Sequence, residues 1–114
     1  MYSIIHLGNN NREVIISMIL TMHNQLTLLH DLLDEQLLYK SVTEAEYKRI
    51  KALVRSIMAH QHNGDHFSRL LPEVYYYSIK GENAHSFIDH ITENEANIKK
   101  WLQAINQIKK ETAI

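Results

Sequence analysis

The run Asn24-Gln25-Leu26-Thr27-Leu28-Leu29-His30-Asp31-Leu32-Leu33 decides the fold class. Within it Leu26, Leu29 and Leu33, continued by Leu37, recur at steps of three and four residues. At 100° per residue that spacing keeps them on one face of a helix, and Leu28, Leu32 and Leu38 widen the stripe. It predicts a helix over 18–39. Upstream, Val14, Ile15 and Ile16 offer an extension, with Asn10 as N-cap and Glu13 placed to complete a capping arrangement.

The same period returns three times. Thr43, followed by Glu46, has capping-box spacing, and behind it Tyr47, Ile50, Val54, Ile57 and Met58 form a stripe that predicts a helix over 43–60. His62-Asn63-Gly64-Asp65 reads as a turn, because Asn-Gly tolerates positive φ. A third stripe holds Phe67, Leu70, Leu71, Val74, Tyr75 and Ile79, but Pro72 lacks a backbone donor, so the helix is expected only over 72–80, after an irregular turn. Gly81 suits a left-handed stop and Asn83 the start of a last helix over 84–110. Its stripe of Phe87, Ile91, Ile98, Trp101, Leu102, Ile105 and Ile108 is interrupted around Thr92 to Asn97, and Trp101 falls on its core side.

Three glycines and one proline in 114 residues are too few for a many-turned β-protein. Short connections between amphipathic helices favour antiparallel neighbours. The expectation is therefore an all-α chain: one domain over 1–114, an antiparallel four-helix bundle whose third helix is short and interrupted near Pro72. At 45% hydrophobic and 22% charged residues the chain can bury a core.

Composition narrows function mainly by exclusion. Twelve basic and thirteen acidic side chains give a formal net charge of −1, so no long-range field draws nucleic acid or anionic lipid. With no cysteine there is no thiol nucleophile, disulfide framework or Cys-based metal site. The N-terminal residues lack a basic segment followed by a long apolar one, so neither export nor a membrane span is expected, and the reading is cytoplasmic.

Three features carry candidate chemistry. His60, His62, Asp65 and His66 supply imidazoles and a carboxylate that suit a divalent metal, although the spacing matches no zinc motif and a solvated turn explains the same residues. His23, His30 and His90 are further candidates for a metal-binding bundle, weighed against histidines at the core edge or surface. Tyr75-Tyr76-Tyr77 cannot all face one core, so at least one ring is expected at the surface and the three form a candidate interaction surface, weighed against tyrosines that only edge the core. The carboxylates Asp31, Asp34, Glu35, Glu93 and Glu95 define no acid–base geometry by spacing alone. No nucleophile motif or phosphate-cradling glycine loop is present, so no catalytic residue and no cofactor is assigned.

Asn24 to Leu33, the Glu-rich entry with Leu53-Val54-Arg55-Ser56-Ile57-Met58, and Ile88-Asp89-His90-Ile91 with Trp101-Leu102 together resemble the YtzH-like family of small Bacillus-type proteins. The resemblance spans roughly residues 22–106 and implies a helical bacterial protein; it brings no catalytic residue, cofactor or substrate. Residues 1–17 fall outside it. One permissible coding of Arg12-Glu13-Val14 is AGG-GAG-GUG, similar to a ribosome-binding sequence before Met18. Residues 1–17 are thus read as a translated leader, with the start at Met18 or Met22, or as an extension outside the core. The expected function is a noncatalytic protein-interaction or regulatory module that self-associates or binds a protein partner; the alternative is a metal-binding bundle.

Overall fold

The computed structural model describes the backbone over residues 11–60 and 69–111, and side chains over 21–59 and 69–111. The described residues form five helices and no strand: α1 (Asn11–Tyr39), α2 (Glu44–His60), α3 (Leu70–Glu82), α4 (Phe87–Glu93) and α5 (Glu95–Glu111). α1 packs against α2, α4 and α5, and α3 packs against α2, α4 and α5.

The leucine stripe of α1 enters the core as its period requires: Leu26, Leu29, Leu32 and Leu33 are buried. Leu28 and Leu38 lie outside it, exposed at 40% and 64%. The next inward position falls on Gln36, which is 1% exposed, while Leu37 is only partly buried. α1 ends at Lys40, whose φ of 52° is left-handed; its N–H donates to Gln36 O at 2.9 Å, and its Nζ donates to Leu37 O at 3.1 Å.

Thr43 starts α2 as its spacing foretells, its Oγ1 accepting the Glu46 N–H at 3.2 Å. Tyr47, Ile50, Val54 and Ile57 are buried one helical turn after another, but Met58 is exposed. The expected turn at 62–65 lies outside the described residues.

α3 differs from expectation at both ends. It begins at Leu70 and runs through Pro72 without interruption, because Pro72 sits in the first turn, where no N–H is required of it. Leu70, Leu71, Val74 and Tyr77 thereby reach the core. At the other end Gly81 is not a left-handed stop: no described glycine has positive φ, and the helix continues to Glu82. Gly81 is needed for clearance, since a Cβ there would overlap the Tyr47 ring. Asn83 closes α3, its Nδ2 donating to Ile79 O at 2.9 Å, and does not start a new helix.

The last predicted helix is two. Ser86, extended at φ −133° and ψ 116°, caps α4 through the Asp89 N–H. Asn94 then breaks the helix, with its backbone N–H on His90 O and Ile91 O and its Nδ2 on His90 O at 2.9 Å. The Asn94 carbonyl accepts the Ile98 N–H at 2.8 Å, which starts α5 and leaves Ile98, Trp101, Ile105 and Ile108 buried.

Candidate functional site

Each of the five helices contributes one polar-tipped side chain to a single cluster. Gln36 comes from α1, Tyr47 from α2, Tyr77 from α3, His90 from α4 and Trp101 from α5. The first four are buried as whole residues, with His90 the most open at 9% exposure, and Trp101 is 3% exposed.

Two hydrogen bonds organise the centre. Tyr47 Oη and His90 Nδ1 lie 3.0 Å apart, the donor being set by the imidazole tautomer. The Tyr77 hydroxyl donates to Gln36 Oε1 at 2.5 Å. Ring packing completes the arrangement. Tyr77 stacks on His90 with centroids 4.7 Å apart and planes at 21°, while Tyr47 meets Tyr77, Phe87 and His90 edge-on. Trp101 meets Tyr77 edge-on at 5.3 Å, and its indole N–H donates to Glu73 Oε1 at 2.8 Å.

Burial biases every titratable group in this cluster toward its neutral form. It pushes the Tyr77 hydroxyl far above the ordinary tyrosine range and raises that of Tyr47. It also holds the His90 imidazole below its ordinary value, with the Glu93 carboxylate pulling upward and the Lys80 ammonium adding to the depression. At neutral pH the cluster is therefore uncharged. Gln36 Nε2 and His90 Nε2 are buried without a hydrogen-bond partner.

On the outer side of these rings opens a cavity of about 390 Å3. α3 lines it with Glu73, Tyr76, Tyr77 and Lys80; His90, Asn94, Asn97, Lys100 and Trp101 line the rest. Lys100 Nζ is 3.7 Å from Glu73 Oε1, the oxygen that also accepts the indole N–H.

The tyrosine run is divided by helical rotation as its adjacency demands. Tyr77 is buried, Tyr75 packs partly against the core, and Tyr76 is 65% exposed beside the cavity. Of the metal candidates, His62, Asp65 and His66 lie outside the described residues, and His60 ends α2 with its side chain undescribed. Among the described residues no three His, Asp or Glu side chains gather to hold a metal ion, so His23, His30 and His90 do not converge. Glu82 and His85 have Glu-x-x-His spacing, but α3 ends at Glu82, whose Oε1 takes Lys51 Nζ at 2.9 Å.

In the sequence His90 stands out only as a metal candidate, and Gln36 not at all. The available signal was positional: Gln36 continues the Leu26, Leu29 and Leu33 stripe, and His90 stands one turn after Phe87 and beside Ile91.

The geometry defines a small all-helical protein with an uncharged tyrosine–imidazole–amide cluster under a polar cavity. The chain belongs to the YtzH-like protein family, whose sequence pattern it matches over residues 20–105. It is 30% identical over 83 residues to the uncharacterized protein YtzH of Bacillus subtilis strain 168, covering 73% of this chain and 90% of that protein. No solved structure matches it. No helix among the described residues is long and apolar enough to cross a membrane.

Proposed function

We infer that this protein works by binding, as a noncatalytic protein-interaction or regulatory module in the cytoplasm. The observation that carries the reading is Tyr76, a large aromatic side chain 65% exposed on the outer face of α3, between two tyrosines that turn inward. An exposed tyrosine on a helix backed by a packed core presents apolar area and a hydroxyl at little entropic cost, which is the chemistry of an interface anchor. The supporting scaffold is an antiparallel four-helix bundle in which α4 and α5, bent at Asn94, together take the fourth position; the packing of α1 on both α2 and α5 favours that arrangement.

Sedimentation velocity over a range of concentrations, combined with a photo-crosslinking amino acid at position 76, tests this reading. A dimer weakened by Tyr76→Ala, or an adduct formed from position 76 and not from the exposed control position Lys99, is the expected result. A protein that stays monomeric at every concentration and gives no adduct specific to position 76 overturns it.

A further inference from the structure

We propose that the cavity between α3 and α5 is a binding site for a small aromatic carboxylate, held by His90, Lys80 and Lys100 and stacked among the rings of Tyr76 and Trp101. The inference does not rest on self-association, since a small molecule can occupy the cavity of a monomer.

Size is the first argument. A cavity of about 390 Å3 falls in the range of small-molecule sites, and its lining mixes aromatic rings with amide and ammonium groups as such sites do. Charge is the second. Glu73 already accepts the Trp101 indole N–H and faces Lys100 at 3.7 Å, whereas Lys80 makes no ion pair among the described residues, so the lining carries one excess positive charge. The amides add neutral donors: Asn94 and Asn97 each spend one N–H, on His90 O and Asn94 Oδ1, and each has a second.

His90 supplies the third argument. It is nine-tenths buried, lines the cavity, and leaves Nε2 with no partner while Nδ1 faces the Tyr47 hydroxyl at 3.0 Å. An orphaned buried nitrogen costs stability unless something satisfies it. A carboxylate oxygen at Nε2 would do so and would hold the proton there, making Nδ1 the acceptor for Tyr47. The ligand thus selects one tautomer of the buried pair. Nε2 is closed off from water, so the contact requires the cavity wall, which includes the exposed Tyr76 and Lys80, to open onto it. The net positive lining disfavours a cation, since Glu73, its one carboxylate, is already engaged by Trp101 and Lys100.

Trp101 is the only tryptophan in the chain, so its fluorescence reports on the cavity directly. The full-length protein is titrated separately with benzoate, with benzylamine as a cation of similar shape, and with inorganic phosphate, alongside NMR of the indole N–H and imidazole nitrogens. For a ligand of nine heavy atoms, half-saturation is expected on the order of 1 mM, so the titration runs to about 20 mM. Benzoate should give saturable changes at Trp101 and at His90 Nε2, and benzylamine none. Lys80→Gln with Lys100→Gln should weaken benzoate about tenfold, the loss expected for charge-assisted hydrogen bonds, with the thermal melt checking that the fold is kept. His90→Phe should remove the Nε2 contribution while keeping an aromatic ring against Tyr77. The proposal is overturned by the absence of a saturable benzoate response, by equal binding of benzylamine, by phosphate binding in place of benzoate, or by undiminished affinity in a folded double-lysine variant.

Discussion

At Gly81 the backbone of α3 meets the ring of Tyr47 so closely that a Cβ would overlap it. Two effects of opposite sign compete in Gly81→Ala. Alanine gains about 1 kcal/mol of helix propensity over glycine, but pushing Tyr47 out of its edge-on contacts with Tyr77, Phe87 and His90 is overpacking, at roughly 1–3 kcal/mol or more. Tyr47 is fully buried and held at its hydroxyl, so the ring has little room to yield, and the net change should be destabilising. A urea titration of Gly81→Ala as stable as the parent protein would refute this. Tyr77 and Gln36 pose a different test. Tyr77→Phe preserves the ring stack but strips Gln36 of its partner, leaving the buried amide unsatisfied on both atoms, at a cost of roughly 1–3 kcal/mol. Adding Gln36→Leu removes the unsatisfied amide, so the double variant should regain most of the loss, and non-additivity in a double-mutant cycle measures it.

The elements divide into those readable from local sequence and those set by distant partners. The start of α2 was legible because Thr43 and Glu46 are three residues apart and the cap is local: Thr43→Ala should cost about 1 kcal/mol, visible as a lower melting temperature. Ser86→Ala should cost a similar amount at the start of α4, while Asn83→Ala loses only a side-chain bond to Ile79 O at the α3 terminus; equal effects would count against this assignment of caps. The weakened stripe around Thr92 to Asn97 did signal trouble in the last helix, yet it could not say whether the helix bends or breaks. Asn94 breaks it because its side chain and backbone both turn back to His90 O, ending α4 just where the imidazole must face Tyr47. Pro72 misled for a related reason. Local chemistry allows a proline in any of the first helical positions, and only the burial of Leu70 and Leu71 decides that the helix begins before it. The inward position of Gln36 is legible in the leucine stripe, but its partner is not, Tyr77 lying 41 residues away.

For the whole molecule the cluster at the meeting of five helices makes stability depend on pH, and the sign follows from His90. Burial lowers its folded-state affinity for protons below that of the unfolded chain, where histidine titrates at about 6.5. The unfolded state therefore binds more protons as pH falls. The stability associated with neutral His90 is fully present above the unfolded value, declines as pH drops through about 6.5, and goes on declining until the folded-state value is passed. A single such group contributes at most about 1.4 kcal/mol per pH unit over that window. Raised tyrosine values act at the alkaline end: the unfolded chain loses protons from its tyrosines first, so the stability held by neutral Tyr47 and Tyr77 is present below about pH 10 and lost above it. The molecule should thus be most stable between these limits. His90→Phe isolates the acid limb, because it leaves every other histidine in place and keeps a ring against Tyr77. Denaturant titrations of both proteins from pH 7.5 down to pH 4.5 should show a shallower loss in the variant, even if its stability at neutral pH is lower through the unpartnered Tyr47 hydroxyl. Parallel profiles would place the acid sensitivity on other groups and remove His90 from the account.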